Sequence, residues 1–279
     1  MSAVSTEPIV VGIDGSPGAA RAVDWALSWA KVVGSPVRII ASESVPPGLR
    51  LDSPGLGAKA KAVIDAETER LGDSASGVEV SLEPLVAHPV TALLDASETA
   101  SAVVVGTRGS GAFQGSVIGS ISGSVAAAAD SPTVVLPPGA SSEFSVDGPI
   151  VVGFDGSESA LTAASLAAQA AGAEGRPLRL VQAETGVTSP EEPLDEVVDE
   201  LRAAHEGVDI ELVVVPGGAV QALTEESRDA AYLVMASQGH RGVPGFLLGS
   251  TTRALIQSAQ CPVVVLTMRS EKLWPVRSR

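Results

Sequence analysis

The sequence predicts an α/β protein of two homologous domains, each a five-stranded parallel sheet with helices on both faces. Three observations carry this. The first is an internal repeat: "PIVVGIDGSPGAARAVDWA" at residues 8–26 returns as "PIVVGFDGSESALTAASLA" at 149–167. Three more blocks recur in the same order. "VRIIASES" (37–44) matches "LRLVQAET" (178–185), "AVVVGTRGSGAFQGSVIGS" (102–120) matches "YLVMASQGHRGVPGFLLGS" (232–250), and "SPTVVLP" (131–137) matches "CPVVVLT" (261–267). Collinear blocks across 279 residues mean a duplication. The second observation is that short β-branched runs alternate with longer segments of helical period, which calls for buried parallel strands and right-handed crossovers. The third is composition. Apolar residues make up 45% and aromatics only 3%, with alanine and valine dominant, which suits thin, closely packed layers.

Each element of the first domain has its own signal. "PIVVGID" is a continuous apolar run, as expected of a strand covered on both faces. In "SPGAARAVDWALSWAKVVG", Ser16 is the helix cap, Pro17 the first helical position and Gly34 the stop, with Val23, Leu27 and Ala30 on one face. There follow the strand "VRIIAS", a Pro/Gly loop, a helix across "AKAVIDAETERL" and the strand "EVSLEPLV". The helix "VTALLDASE", the strand "SAVVVG", a glycine-rich loop, the helix "SISGSVAAAA" and the strand "TVVLP" complete the unit. The second half repeats this with a shorter, acidic second helix, "PLDEVVDELRAAH". The domains run 1–138 and 149–279, and 139–148, inside the Pro/Gly/Ser-rich stretch "PPGASSEFSVDG", reads as a linker. Trp25 and Trp29, one turn apart, are expected to pack at a domain surface.

Charge and targeting signals exclude several classes. A net charge of −15, from 33 acidic and 18 basic residues, would repel a phosphate backbone over most of the surface. The longest apolar runs fall far short of the ~20 residues that span a bilayer. The start, "MSAVSTEPIVVGIDGS", lacks a basic region followed by an apolar core, so no signal peptide is expected. A single cysteine, Cys261, excludes an internal disulfide and favours a reducing compartment. A soluble cytoplasmic protein without nucleic-acid or membrane partners is expected.

The loop "GTRGSGAFQGSVIGS" (106–120) holds five glycines and three serines directly after a strand. Its end, Gly119 and Ser120, falls at a helix N-terminus, where unpaired N–H groups and the helix dipole suit an anion. Glycines allow backbone to approach a ligand, and Ser110, Ser116 and Ser120 can donate hydroxyl hydrogen bonds. The alternative is a flexible surface loop ending in a helix cap. The spacing fits neither the lysine-bearing P-loop nor G-x-G-x-x-G. Asp14 and Asp155 end the first strand of each half in "GIDGS" and "GFDGS". Ligands of open parallel sheets bind beyond the carboxyl ends of strands where the order reverses, so a carboxylate there suits a ribose hydroxyl or, through a metal, phosphates. The plainer reading is that Asp14 only shapes the turn before the helix.

With these residues in place, the chain resembles the universal stress protein family in its tandem two-domain form. The family's nucleotide signature is Gly, two residues, Gly, nine residues, then Gly and Ser or Thr; Gly106, Gly109, Gly119 and Ser120 fit it. The resemblance spans both halves and implies a Rossmann-like sheet ordered 3-2-1-4-5 with ATP or a related adenine nucleotide in the crevice, magnesium accompanying the phosphates. It implies that Asp14, with Gly12 before it, contacts the ribose and that the segment around Ser42 meets the adenine through its backbone. Val105 and Gly106 would line base and sugar, and Gly109, Gly119, Ser120 and Ile121 the phosphates. The matching positions in the second half are Gly153, Asp155, Ala183, Met235, Ala236, Gly239, Gly249, Ser250 and Thr251. Ala236 departs from the pattern where Gly106 stands, and a methyl there can narrow the approach to ribose. His240 and Arg241 replace Ser110 and Gly111. The first site is therefore expected to bind at least as tightly as the second. The resemblance also implies edge-to-edge pairing of the fifth strands into a pseudo-twofold pair, with two chains associating further as a homodimer.

Little in the sequence suggests catalysis. His88, His205 and His240 lie apart without metal-ligand spacing, and no nucleophile elbow or Cys–His pair is present. His88, before Pro89, reads as structural, and Cys261 as buried. The leading expectation is a nucleotide-binding regulatory protein of the stress response. The alternatives are a non-binding scaffold of the same fold and a weak ATPase.

Overall fold

A computed structural model describes residues 7–50, 53–107, 119–145, 147–184, 194–239 and 248–270. Gly109, Ser110, Gly111, Ser116, His240 and Arg241 lie outside the described residues.

The first domain runs β1 (Ile9–Ile13), α1 (Pro17–Val33), β2 (Val37–Ser42), α2 (Ala58–Leu71), β3 (Val80–Leu85), α3 (Pro89–Ser97), β4 (Ala102–Gly106), α4 (Ser120–Ala128) and β5 (Thr133–Leu136). The second repeats it as β6 (Ile150–Gly153), α5 (Glu158–Glu174), β7 (Leu178–Glu184), α6 (Leu194–Ala204), β8 (Ile210–Pro216), α7 (Ala219–Glu226), β9 (Tyr232–Ala236), α8 (Ser250–Ser258) and β10 (Val263–Leu266).

Local chemistry sets the helix ends. Ser16 Oγ accepts from the Ala19 N–H at 3.2 Å, Pro17 opens α1, and Gly34 closes it in the left-handed conformation at φ 76°. Ser157 caps α5 in the same way, accepting from the Ala160 N–H at 3.2 Å. α2 begins two residues before the expected start, because Glu43 Oε2 accepts from the N–H groups of Lys59 (3.0 Å) and Ala60 (3.4 Å). A carboxylate from the β2 end thus does the work that Gly57, lacking a side chain, cannot.

Within each half the parallel strands follow the expected order 3-2-1-4-5, and the expected edge-to-edge pairing of the fifth strands makes the two five-stranded units one sheet of ten strands, β3-β2-β1-β4-β5-β10-β9-β6-β7-β8. The halves join through β5 and β10, antiparallel, with Val134 opposite Val264 and Val135 opposite Val263. The repeat aligns Val134 with Val264, so the pseudo-twofold axis passes between them, perpendicular to the sheet. Two apolar layers result. One lies under α1, α2, α5 and α6 (Val11, Leu27, Ile64, Ala164, Val198), the other under α3, α4, α7 and α8 (Val10, Leu93, Val125, Leu223, Ile256).

The connecting stretch is no slack tether. Phe144 lies 5.6 Å edge-on from Trp25 and 6.1 Å stacked on Trp29, centroid to centroid. Both tryptophans are buried, which corrects the expectation that they pack at a domain surface. Arg176, just before β7 in the second domain, lies over the Phe144 ring, 5.7 Å from its centroid, and donates to the carbonyls of Ser145 (2.6 Å), Asp147 (3.1 Å) and Gly148 (3.2 Å). From the first domain Arg21 donates to the carbonyls of Pro137 and Ala140, and Ser28 Oγ accepts the Phe144 N–H at 2.7 Å. The segment is a strap, bonded on both sides of the seam.

Cys261 is buried beside the start of β10, and burial pushes its thiol up to about 12. The thiol is expected to ignore a disulfide reagent in the folded protein and to react, one per chain, after unfolding. An unfolded thiol ionises near 8.5, so this group's share of the stability is intact below that pH and lost as pH rises toward 12. Urea midpoints that fall between pH 8 and 10 for the native chain, and fall less for Cys261→Ala, would check the sign.

Candidate functional site

β1 lies between β2 and β4, with Ile9 opposite both Val37 and Ala102. The crossovers from β1 and β4 leave in opposite directions, so the strand order reverses between them and a crevice opens beyond their carboxyl ends. Asp14 follows β1 into it. Its Oδ1 accepts the Ser16 N–H at 3.0 Å, which fixes the carboxylate at the start of α1. Across the crevice, the Gly119 N–H donates to the Thr107 carbonyl at 3.0 Å and anchors the start of α4 beside the β4 end. Gly119 supplies no side chain to the first N–H groups of α4, so those of Ser120 and Ile121 have no cap from it. They and the helix dipole offer a small positive field facing Asp14's side of the sheet.

The structure brings Gly12, Asp14, Gly106, Gly119, Ser120 and Ile121 to this edge, and gives several of them work independent of any ligand. A Cβ on Gly12 would lie 2.7 Å from Leu93 Cδ1, so α3 packs directly on β1 there. A Cβ on Gly106 would lie 2.6 Å from the Gly18 carbonyl oxygen, in the first turn of α1. The missing side chain at 106 is thus demanded by helix-on-strand packing, a reason that the sequence reading, concerned with ribose, did not supply. Val105 is buried in the layer under α3 and α4, and Ile121 packs against the same layer. Ser42 ends β2, and its Oγ donates to the Ala87 carbonyl at 2.6 Å. Its side chain is committed to the loop after β3.

Gly106→Ala should therefore destabilise the first domain by about 1–3 kcal/mol whether or not a ligand is bound. Ala236→Gly, at the matching place, should cost no more than ~1 kcal/mol. Denaturant midpoints of the two variants test this; equal costs would refute the packing argument.

The second crevice forms where β6 meets β9, Ile150 opposite Tyr232. Asp155 follows β6 and Oδ1 accepts from the Ser157 N–H (3.1 Å) and Oγ (2.6 Å). The Gly249 N–H donates to the Ser237 carbonyl at 2.7 Å, and α8 begins with exposed Ser250 and half-buried Thr251. Thr252, not anticipated from the sequence, ties α8 to β9 through its Oγ1 and the Ala236 carbonyl at 2.9 Å. Ala183, one residue before the end of β7, packs against the layer under α7 and α8, and Met235 is buried there with its sulfur over Gly153. Because β5 and β10 run antiparallel, the two crevices open at opposite ends of the common sheet.

Of the histidines within the described residues, His88 Nδ1 accepts the Val90 N–H at 3.3 Å as the cap of α3, and His205 Nε2 lies 3.2 Å from Ser165 Oγ. Among the described residues there is no group of three or more His, Cys, Asp or Glu side chains arranged for a metal. No helix among them is long and apolar enough to cross a membrane.

The sequence matches the model of the Universal stress protein family twice, over residues 5–137 and 148–267. Universal stress protein Rv1996 of Mycobacterium tuberculosis is 29% identical over an alignment covering 99% of this chain and all of that protein. Universal stress protein Rv2623 of the same organism is 29% identical over 92% of this chain and 95% of its own length. Among solved structures, a universal stress protein from Archaeoglobus fulgidus superposes with a TM-score of 0.71 at 20% identity, covering 93% of this chain and 98% of that one.

Proposed function

Since the chain belongs to the universal stress protein family, we propose that it is a regulatory protein of the stress response that holds an adenine nucleotide, ATP or a close relative, at the carboxyl edge of its sheet. The observation that carries this reading is the strand-order reversal between β1 and β4, flanked by Asp14 on one side and the uncapped start of α4 on the other.

The donor set suits that ligand. A carboxylate such as Asp14 is an acceptor with several lone-pair sites, a fit partner for a ribose hydroxyl. The N–H groups of Ser120 and Ile121 and the Ser120 hydroxyl can donate to phosphate oxygens, and the backbone at Ser42 can face the base. The chain offers no clustered ligand set for a metal among the described residues, so magnesium would travel on the phosphates. The described residues of the crevice include no base with a role in activating water, and the reading is one of retention and release. Both fifth strands are paired to each other, so a homodimer would use other surfaces.

The test is release of nucleotide from freshly purified protein on denaturation, identified by mass spectrometry, followed by calorimetry with ATP and magnesium. Asp14→Asn keeps an acceptor for the Ser16 N–H while removing the charge; it should weaken binding by about 10–100-fold at unchanged stability. Substitution of Gly119 is a poorer probe, because a Cβ there would lie 2.9 Å from the Thr107 carbonyl oxygen and disturb the loop by itself. No nucleotide in either measurement would leave a scaffold that does not bind.

A further inference from the structure

In the first half the segment after β5 closes over α1. Eight residues beyond Leu136, Phe144 covers Trp25 and Trp29, and its N–H donates to Ser28 Oγ. The repeat sets Leu166, Gln169 and Ala170 of α5 at the places of Trp25, Ser28 and Trp29. A leucine and an alanine thus replace two large rings, and Tyr232, where the first half has Ala102, refills only part of the space. An apolar cleft remains between α5 and the strands β9 and β10, lined by Leu166, Ala167, Ala170, Tyr232, Val234 and Leu266. Leu166 is half-buried and Gln169 is exposed.

We propose that this cleft is the docking site of the chain's own segment after β10, with Trp274 laid over it as Phe144 is laid over α1. Residues 271–279 lie outside the described residues, and the chain leading to them points to this occupant. Trp274 stands eight residues beyond Leu266, and the repeat aligns Leu266 with Leu136. Both segments leave their strands in the same turn: the Ala140 N–H donates to the Pro137 carbonyl at 3.2 Å, and the Ser270 N–H to the Thr267 carbonyl at 3.0 Å. Thr267 Oγ1 donates to the Ala129 carbonyl of the first domain at 2.8 Å, and Ser270 is buried. The chain is therefore still held against the molecule four residues short of Trp274, and the same four-residue step carries the first half from Ala140 to Phe144. Charge agrees. Lys272, Arg277 and Arg279 make the segment basic on a chain of net charge −15, so it is drawn to the surface.

The side chains fit one another. Small residues on α5 leave room for an indole, whose apolar body can cover Leu166 and Ala170 while its N–H stays at the rim. The Gln169 side-chain carbonyl stands where Ser28 Oγ accepts from Phe144, and can accept the Trp274 backbone N–H. By the pseudo-twofold, the segment heads toward the start of β1 as the strap heads toward the start of β6, and the seam is tied on both flanks.

Fluorine NMR of the full chain labelled with fluorotryptophan tests this. The chain has three tryptophans, and Trp274→Phe assigns the resonance of the third by deleting it. That resonance is expected to stand away from its position in the unfolded chain and to respond little to exchange of light for heavy water. Leu166→Gln should return it to the unfolded position while the resonances of Trp25 and Trp29 stay in place. A native resonance already at the unfolded position would overturn the proposal, and so would a shifted one indifferent to Leu166→Gln. A shift lost on dilution, with a dimer in sedimentation velocity, would put a second copy's segment on the cleft and overturn the assignment to the chain's own. Removal of residues 271–279 should lower the thermal midpoint by about 3–6 °C; an unchanged midpoint would mean that nothing had covered the cleft. The native spectrum and this truncation remain decisive should Leu166→Gln fail to fold.

Discussion

Arg176→Ala is expected to cost about 3–5 kcal/mol of stability, the largest effect of any side-chain truncation considered for this chain. Its guanidinium is almost fully buried, paired with Glu174 at 2.5 Å, stacked over Phe144 and bonded to three carbonyls of the strap. Truncation leaves the Glu174 carboxylate inside with the Tyr232 hydroxyl (3.0 Å) but without its cation, and takes a donor from each of those carbonyls. Arg176→Lys should recover only part of the loss, because one ammonium cannot serve a carboxylate, a ring face and three carbonyls in a planar fork. Urea unfolding followed by tryptophan fluorescence is the measurement, since Phe144 covers Trp25 and Trp29. A loss under about 1 kcal/mol would mean that the strap is held by the first domain alone.

Gly148→Ala should be nearly as damaging, at about 3 kcal/mol or more. The residue sits at φ 87°, where a side chain costs about 1–2 kcal/mol. A Cβ there would also stand 2.3 Å from the Asp229 carbonyl oxygen and 3.1 Å from the Ala231 nitrogen, so backbone must move to admit it. Gly207 provides the control. It has the same φ of 87° with nothing near its Cβ position, and Gly207→Ala should show the conformational cost alone. Equal midpoints for the two variants would contradict the packing half of the argument.

What could be read from the sequence, and what could not, divides by the range of the interactions. "VRIIAS" became β2 residue for residue, and Ser16, Pro17 and Gly34 ended α1 where their local chemistry says they must. These signals act within a turn or a strand. The docking of the linker could not be read because its partner Arg176 lies 28 to 31 positions away, and Pro, Gly and Ser describe a loose and a docked segment equally well. Gly106 was read for a ligand although the atom that forbids a methyl belongs to Gly18, in a helix of the same domain. The motif residues Asp14 and Gly119 share one sheet edge, because they follow the two strands flanking the reversal, and that much of their placement could be read from the strand pattern.

The seam between β5 and β10 has one more implication, for how the two halves evolve. Were they separate polypeptides, that pairing would depend on how much of each the cell made. A covalent strap raises the local concentration of each edge for the other to about the order of millimolar, at any level of expression. Pairing then tolerates a weaker edge, so the two halves can diverge in sequence without unmaking the sheet that they share.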